Sequence, residues 1–192
     1  FDEISVYGLG YKVGMVVQML IVTPFGLSWG PVMWSVADKS YAKRFYAKIL
    51  TYFLMAALYA ALALSMFSVE VVHLMSRKEA YWRAWQVVPL ICLSYVFYGL
   101  YSQVAVGINL RKKTQYLPFV VVGAAGVNLL LNYLLIRPFG MMGAAVATVV
   151  SYLLLAVPTY AVSQRFYPIT YEWGRLCKLL VVVGLCYGAS LF

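Results

Sequence analysis

Charge is what this sequence has least of. Asp, Glu, Lys and Arg make up 11% of its 192 residues, against about 25% in soluble domains, and a soluble fold is thereby nearly excluded. Acidic residues are the scarcest, six in all. None of them falls inside an apolar run, which argues against a carboxylate-based cation site in this stretch of protein. The single histidine, His73, reads as a loop residue, and no Asp or Glu stands nearer to it than Glu70. A zinc or catalytic centre needs clustered His and carboxylate partners, so no enzyme active site, metal site or cofactor is expected. The three cysteines, Cys92, Cys177 and Cys186, lie in or beside apolar stretches without CxxC or metal spacing and read as buried free thiols.

What is abundant is apolar surface. Hydrophobic residues make up 64% of the chain, the mean hydropathy is +0.83, and apolar runs of about 20 residues recur along the whole length, the length a helix needs to cross a bilayer. The net charge of +9 does not point to nucleic acid, because Lys and Arg gather in short segments between these runs, as loops at a membrane surface do. The expected fold class is an all-α integral membrane protein with six transmembrane helices.

The spans read as about 11–37, 49–69, 85–108, 117–136 and 141–163, followed by a loop and the start of a further helix over 164–192. Pro24, Gly26, Gly30 and Pro31 predict a kink in the first. Pro89 sits near the start of the third, where a helix tolerates it. Arg137-Pro138-Phe139-Gly140 is a turn tight enough to force spans four and five into an antiparallel hairpin. Its helices carry small residues: Gly143, Ala147 and Ser151 on one row, Gly140 and Ala144 beside it, Gly123 and Gly126 on the other arm. The sixth span begins near Leu176 and is still apolar at Phe192, and the chain opens without an initiator Met, so it is expected to be one half of a larger polytopic protein. Loops after spans one, three and five hold four, three and three basic residues, those after two and four three and one, with Glu70 and Glu79 offsetting the former. The odd-numbered loops are therefore expected in the cytoplasm, and Asp2 and Glu3 outside.

Polar residues at membrane depth are candidates for function. Lys12, followed by Gly14 and Gln18 in span one, either meets an anionic group from a cavity or snorkels to the headgroups. Arg83 and Arg137 read as interfacial anchors. In span three Ser94, Tyr98 and Ser102 recur every four residues, with Tyr95, Tyr101 and Gln103 beside them. Tyr95 and Tyr98 fall near mid-span, away from the usual aromatic belts, and should face protein or a cavity. Such rings stack on the C–H face of a sugar while their hydroxyls exchange hydrogen bonds with it, and the same groups also bond across helices. Asn128 and Asn132, four apart on span four, carry the same two readings.

Two stretches resemble the polysaccharide transporter, or oligosaccharide flippase, family of the multidrug/oligosaccharidyl-lipid/polysaccharide exporter superfamily. Asn128-Leu-Leu-Leu-Asn132-Tyr-Leu-Leu-Ile-Arg-Pro-Phe-Gly140-Met-Met-Gly143-Ala-Ala-Val-Ala-Thr148 looks like that family's hairpin of Asn-rich helix, proline-glycine turn and Gly-Ala-Ala-x-Ala-Thr helix. Tyr81-Trp-Arg-Ala-Trp-Gln-Val-Val-Pro89 running into Tyr98-Gly-Leu-Tyr101 is similar to the loop and helix before it, and Val6-Tyr7-Gly8-Leu9-Gly10-Tyr11 to the start of a lobe's second helix. The resemblance covers nearly the whole chain. It implies two six-helix lobes, usually with two extra C-terminal helices, around a cavity that opens alternately to either side. This chain would be much of the C-terminal lobe, lacking the N-terminal lobe of the same protein. The resemblance further implies a bacterial or archaeal inner membrane and an undecaprenyl-diphosphate-linked oligosaccharide as substrate, its tail left in membrane lipid. Cationic cavity residues would hold the diphosphate and polar aromatics the glycan; Lys12 and the span-three tyrosines are the nearest offerings here. A drug/cation antiporter of the same superfamily would want an intramembrane acid, which this half lacks. A non-transporting membrane scaffold would have a cavity too small or too apolar for a glycan.

Overall fold

An apolar backbone out of contact with water must satisfy its own N–H and C=O groups, and a run of single apolar segments does so by coiling each into a helix. The computed structural model describes residues 2–190, and these are all helix and connecting turns. Helix α1 (Asp2–Val17) passes through a π-helical turn (Gln18–Val22) into α2 (Thr23–Ser35). Then come α3 (Ala42–Met66), α4 (Ser68–Met75), a 3₁₀ segment (Glu79–Gln86), α5 (Val88–Val104), α6 (Val106–Leu110), α7 (Tyr116–Phe166) and α8 (Trp173–Ser190). Five helical stretches are long and apolar enough to cross a membrane: Glu3–Ser35, Ala42–Met66, Val88–Leu110, Tyr116–Phe166 and Trp173–Ser190. The chain is a multi-pass membrane protein by this measure.

Helix α7 is 51 residues long and not straight. At Gly140 the backbone takes φ 52° and ψ −130°, a region open only to a residue without Cβ. The chain folds back there, so that Asn128 on the first arm (116–139) reaches Ala147 and Ser151 on the second (141–166). Beside the turn, Gly143 lies directly on the backbone of Leu135 and Ile136, where a Cβ has no room. The hairpin expected from residues 137–140 is thus present.

Several expectations are corrected. The first helix starts at Asp2, not near Tyr11, and α3 at Ala42, not Ile49: Ala42, Lys43, Arg44, Ala47 and Lys48 are good helix formers, whereas the start of α1 coils in spite of Gly8 and Gly10, with Gly10 packed on Ala84 and Val87. Irregularity in the first span falls at the π turn Gln18–Val22, the turn that Pro24 disturbs by lacking an N–H for the carbonyl four residues before it. His73 is on α4, its ring against Trp82 at 4.4 Å. Gly123 and Gly126 meet nothing, because the first arm packs on the second through another face and only Ala124 of that arm is buried. Cys92 is buried, but Cys177 and Cys186 are exposed, because α8 packs inward through Leu176, Leu179 and Val183 instead. The final helix starts at Trp173, and its expected continuation to Phe192 lies outside the described residues.

The bundle is organised around α5. The most apolar stretch of Val88–Leu110 is 67% buried, against 6% for those of α7 and α8. On it converge α1, α3 and the second arm of the hairpin, giving a core of Val13, Val17, Leu50, Ala57, Val88, Ile91, Tyr95 and Val96. A second cluster of Trp29, Met33, Ala42, Tyr46, Ala47, Val106 and Ile169 closes the end where α2, α3, α6 and the 167–172 loop meet. That end carries Lys39, Lys43, Arg44, Lys48, Arg111, Lys112, Lys113, Arg165, Arg175 and Lys178 against Asp38 and Glu172, and is called the basic end below. The opposite end holds the hairpin tip, the start of α1 and the 3₁₀ segment.

Candidate functional site

Tyrosines from three elements meet in a continuous run along the hairpin side of α5. Tyr7 and Tyr11 on α1 are 5.9 Å apart between ring centroids, and Tyr11 stands edge-on to Tyr95 of α5 at 5.9 Å. Tyr152 of the second arm lies 6.0 Å from Tyr95 and 5.4 Å from Tyr98, which in turn is 6.1 Å from Tyr101. These separations suit edge and tilted ring contacts. The spacing follows from helix geometry: Tyr7 and Tyr11 are four apart on one face, and α5 runs parallel to the second arm, so Tyr98 pairs with Tyr152 as Gly107 further along pairs with Ser163.

Between α1 and the hairpin this run borders two open clefts. One of about 400 Å³ lies toward the hairpin tip and is lined by Tyr7, Asn128, Asn132, Thr148 and the carboxylate-bearing Glu3. The other, about 320 Å³ and deeper, is lined by Tyr11, Asn128, Thr148, Ser151 and Tyr152 among apolar residues. A polar seam connects them. Ser151 Oγ donates to the Ala147 carbonyl at 2.6 Å and accepts from Asn128 Nδ2 at 2.9 Å. Asn132 Nδ2 donates to Asn128 Oδ1 at 3.0 Å, and the Tyr7 and Thr148 hydroxyls are 3.4 Å apart. Asn132 Oδ1 has no partner among the described residues and remains able to accept.

The residues singled out from sequence divide in three. Asn128 and Asn132 line the clefts, while Tyr95 and Tyr98 belong to the tyrosine run behind Tyr152 and line neither cleft. Asn128 bonds across the hairpin and also lines both clefts, whereas Asn132 bonds to Asn128 on its own arm and lines only the cleft toward the tip. Ser94 does not join them: it is buried and donates to the Ile91 carbonyl at 2.7 Å. Lys12, Gln18 and Ser102 line neither cleft. Lys12 is exposed on the side of α1 away from buried Val13, Gly14 and Val17, and Gln18 opens the π turn. Tyr7, Tyr11, Thr148 and Tyr152 were not expected in the site. A signal was available for the first two in their i, i+4 spacing, whereas Tyr152 is placed only by the packing of the hairpin on α5. Among the described residues no three His, Cys, Asp or Glu side chains gather as a metal site.

The basic end is built differently. Tyr46 Oη donates to the Met33 carbonyl at 2.8 Å inside the second core cluster. The Gln164 amide pairs with the backbone of Ile169 in both directions, Nε2 to O at 2.7 Å and N to Oε1 at 2.8 Å. Glu172 ties the loop to α3 by accepting from Thr51 Oγ1 at 3.1 Å and holds Arg175 at 2.8 Å. Burial, with Tyr160 nearby, raises the Tyr171 phenol above its ordinary range, so it stays neutral and packs as an aromatic.

The clefts present uncharged donors and acceptors beside aromatic side chains, with the single carboxylate, Glu3, at the tip. Comparison with protein-family models, with curated proteins and with solved structures gives no match.

Proposed function

We propose that this chain forms much of one lobe of a two-lobed flippase, which moves a lipid-linked oligosaccharide across an inner membrane by alternating access. The observation that carries the reading is the tyrosine-lined clefts with their Asn128, Asn132, Thr148 and Ser151 seam. A glycan's hydroxyls each lose several kcal/mol if left unbonded in hydrocarbon. A wall of rings and neutral hydrogen-bonding groups removes that penalty while holding the sugar weakly enough to release it. No covalent chemistry is required.

In this reading the two arms of α7 count as separate crossings, making six in all, with the basic end in the cytoplasm. The partner lobe faces the clefts, and rocking of the lobes exposes them to each side in turn. An undecaprenyl-diphosphate carrier leaves its tail in lipid. The absence of any acidic side chain in the described clefts beyond Glu3 at the tip is the reason a flippase is preferred to a cation antiporter.

The test uses the full-length protein in a strain deprived of its own flippase, with surface glycan and protein abundance measured together. Wild type restores glycan; Tyr152→Ala and Asn132→Ala lose most of it at equal abundance; Lys12→Ala, whose side chain lines neither cleft, restores it. Failure of wild type despite good expression and a compatible glycan sinks the reading. Restoration by all variants keeps the flippase and removes the clefts from its path.

A further inference from the structure

At the basic end two cations from distant parts of the chain converge on one ring. Lys43 Nζ stands 5.1 Å from the centroid of Tyr167, and the Arg111 guanidinium 5.8 Å from the same centroid. Lys43 is in the first turn of α3; Arg111 follows α6; Tyr167 follows α7. The ring is itself held, edge-on to buried Tyr46 at 6.4 Å and with its backbone N–H on the Ser163 carbonyl at 2.9 Å. Arg111 is aimed by the turn after it, in which Lys112 takes φ 54° and the Lys113 N–H closes on the Ile108 carbonyl at 2.9 Å.

Among the described residues no carboxylate forms an ion pair with Lys43 or Arg111, although Asp38 lies close enough to act on Tyr46 beside them. The only ion pair among the described residues is Arg175 with Glu172. Helix α3 makes the imbalance sharper. Its cap residue Tyr41 supplies no side-chain hydrogen bond, its first turn has no acidic residue, and Lys43 and Arg44 stand where the helix dipole is positive. Cations there oppose the dipole, and an anion relieves both the dipole and the two side chains. The site lies where apolar helices end, which is the depth of lipid headgroups, and the long stems of Lys43 and Arg111 reach that level from apolar ground.

The geometry points to a binding site for an anionic phospholipid headgroup formed by Lys43, Arg111 and Tyr167. The phosphate bridges the two cations at the start of α3, and the ring gathers both within 5.8 Å of its centroid. The partner is fixed by charge: ten of the fifteen Lys and Arg residues lie at this end against two carboxylates, so a zwitterionic headgroup gains little there.

The experiment takes the purified chain with equal amounts of phosphatidylglycerol and phosphatidylcholine and reads the ratio of the two retained, by native mass spectrometry. Wild type retains phosphatidylglycerol preferentially. Lys43→Gln and Arg111→Gln each lower the preference about fivefold, the effect of one headgroup-level charge. Lys43→Arg and Arg111→Lys keep it, at unchanged thermal stability. The pair Arg77→Gln with Lys78→Gln, which removes twice the charge of either site variant at the other end, changes it less than about twofold. An equal loss in that control pair, no loss in the site variants, or displacement of the bound lipid by inorganic phosphate at matched ionic strength overturns the proposal.

Discussion

At the basic end, side chains of α2, α3, α6 and the 167–172 loop close over Tyr46 and Ile169, whereas at the hairpin-tip end α1 and the hairpin stand apart across clefts of about 400 and 320 Å³. Both ends contain amides and tyrosines. At the basic end they are consumed internally, Gln164 by Ile169 and Tyr46 by Met33. At the tip Asn132 and Tyr7 each keep hydrogen-bonding capacity facing a cleft. Polar residues in a membrane helix thus do not declare their use by type. A saturated polar group rigidifies, and a half-saturated one beside a cleft is available to a ligand.

This contrast can be broken by mutation. The largest effect is expected from Gly143→Leu, because the side chain would enter the space held by the Leu135 backbone, and backbone cannot yield as a side-chain tip can. Unfolding in detergent should show a loss of about 3 kcal/mol. A loss well below that would mean the arms do not pack as described. Next, Gln164→Ala removes both bonds to the largely buried Ile169 and should cost about 2 kcal/mol by the same measurement. Asn132→Ala at the other end should cost no more than about 0.5 kcal/mol, since its one described bond is to a half-exposed neighbour. Equal costs for these two amide deletions would erase the distinction between the ends. Tyr46→Phe should cost about 1 kcal/mol by loss of the Met33 bond. One change is a gain: Lys112→Gly relieves a side chain held at φ 54° and should add up to about 1 kcal/mol, visible as a raised unfolding midpoint.

Much of this architecture is legible in the residues because lipid leaves few choices. Runs of about 20 apolar residues must be helices, and Pro138 with Gly140 between two such runs must be a reversal. Boundaries were less legible. Asp2 to Gly10 and Ala42 to Lys48 look like loop by hydropathy but coil with the helices they precede, because hydropathy reports depth rather than backbone shape. In the candidate site, Tyr95, Tyr98, Asn128 and Asn132 stand out as polar groups at mid-span. Ser94 stands out equally and is spent on the Ile91 carbonyl. Tyr152 does not stand out at all, since one tyrosine in a span carries no pattern of its own.

Sequence alone determined that this is a helical membrane protein, where its chain turns back, and which end is basic, since each of these depends on local composition and on the thickness of a bilayer. Tertiary structure alone decided that α5 is the centre, that Tyr7, Tyr11 and Tyr152 join the tyrosines of α5, and that Lys43 and Arg111 share the ring of Tyr167. Those facts depend on which faces of nearly uniform apolar helices meet. With apolar residues on every side, a helix of this kind carries little periodic signal to say so, and packing of small against large side chains makes the choice.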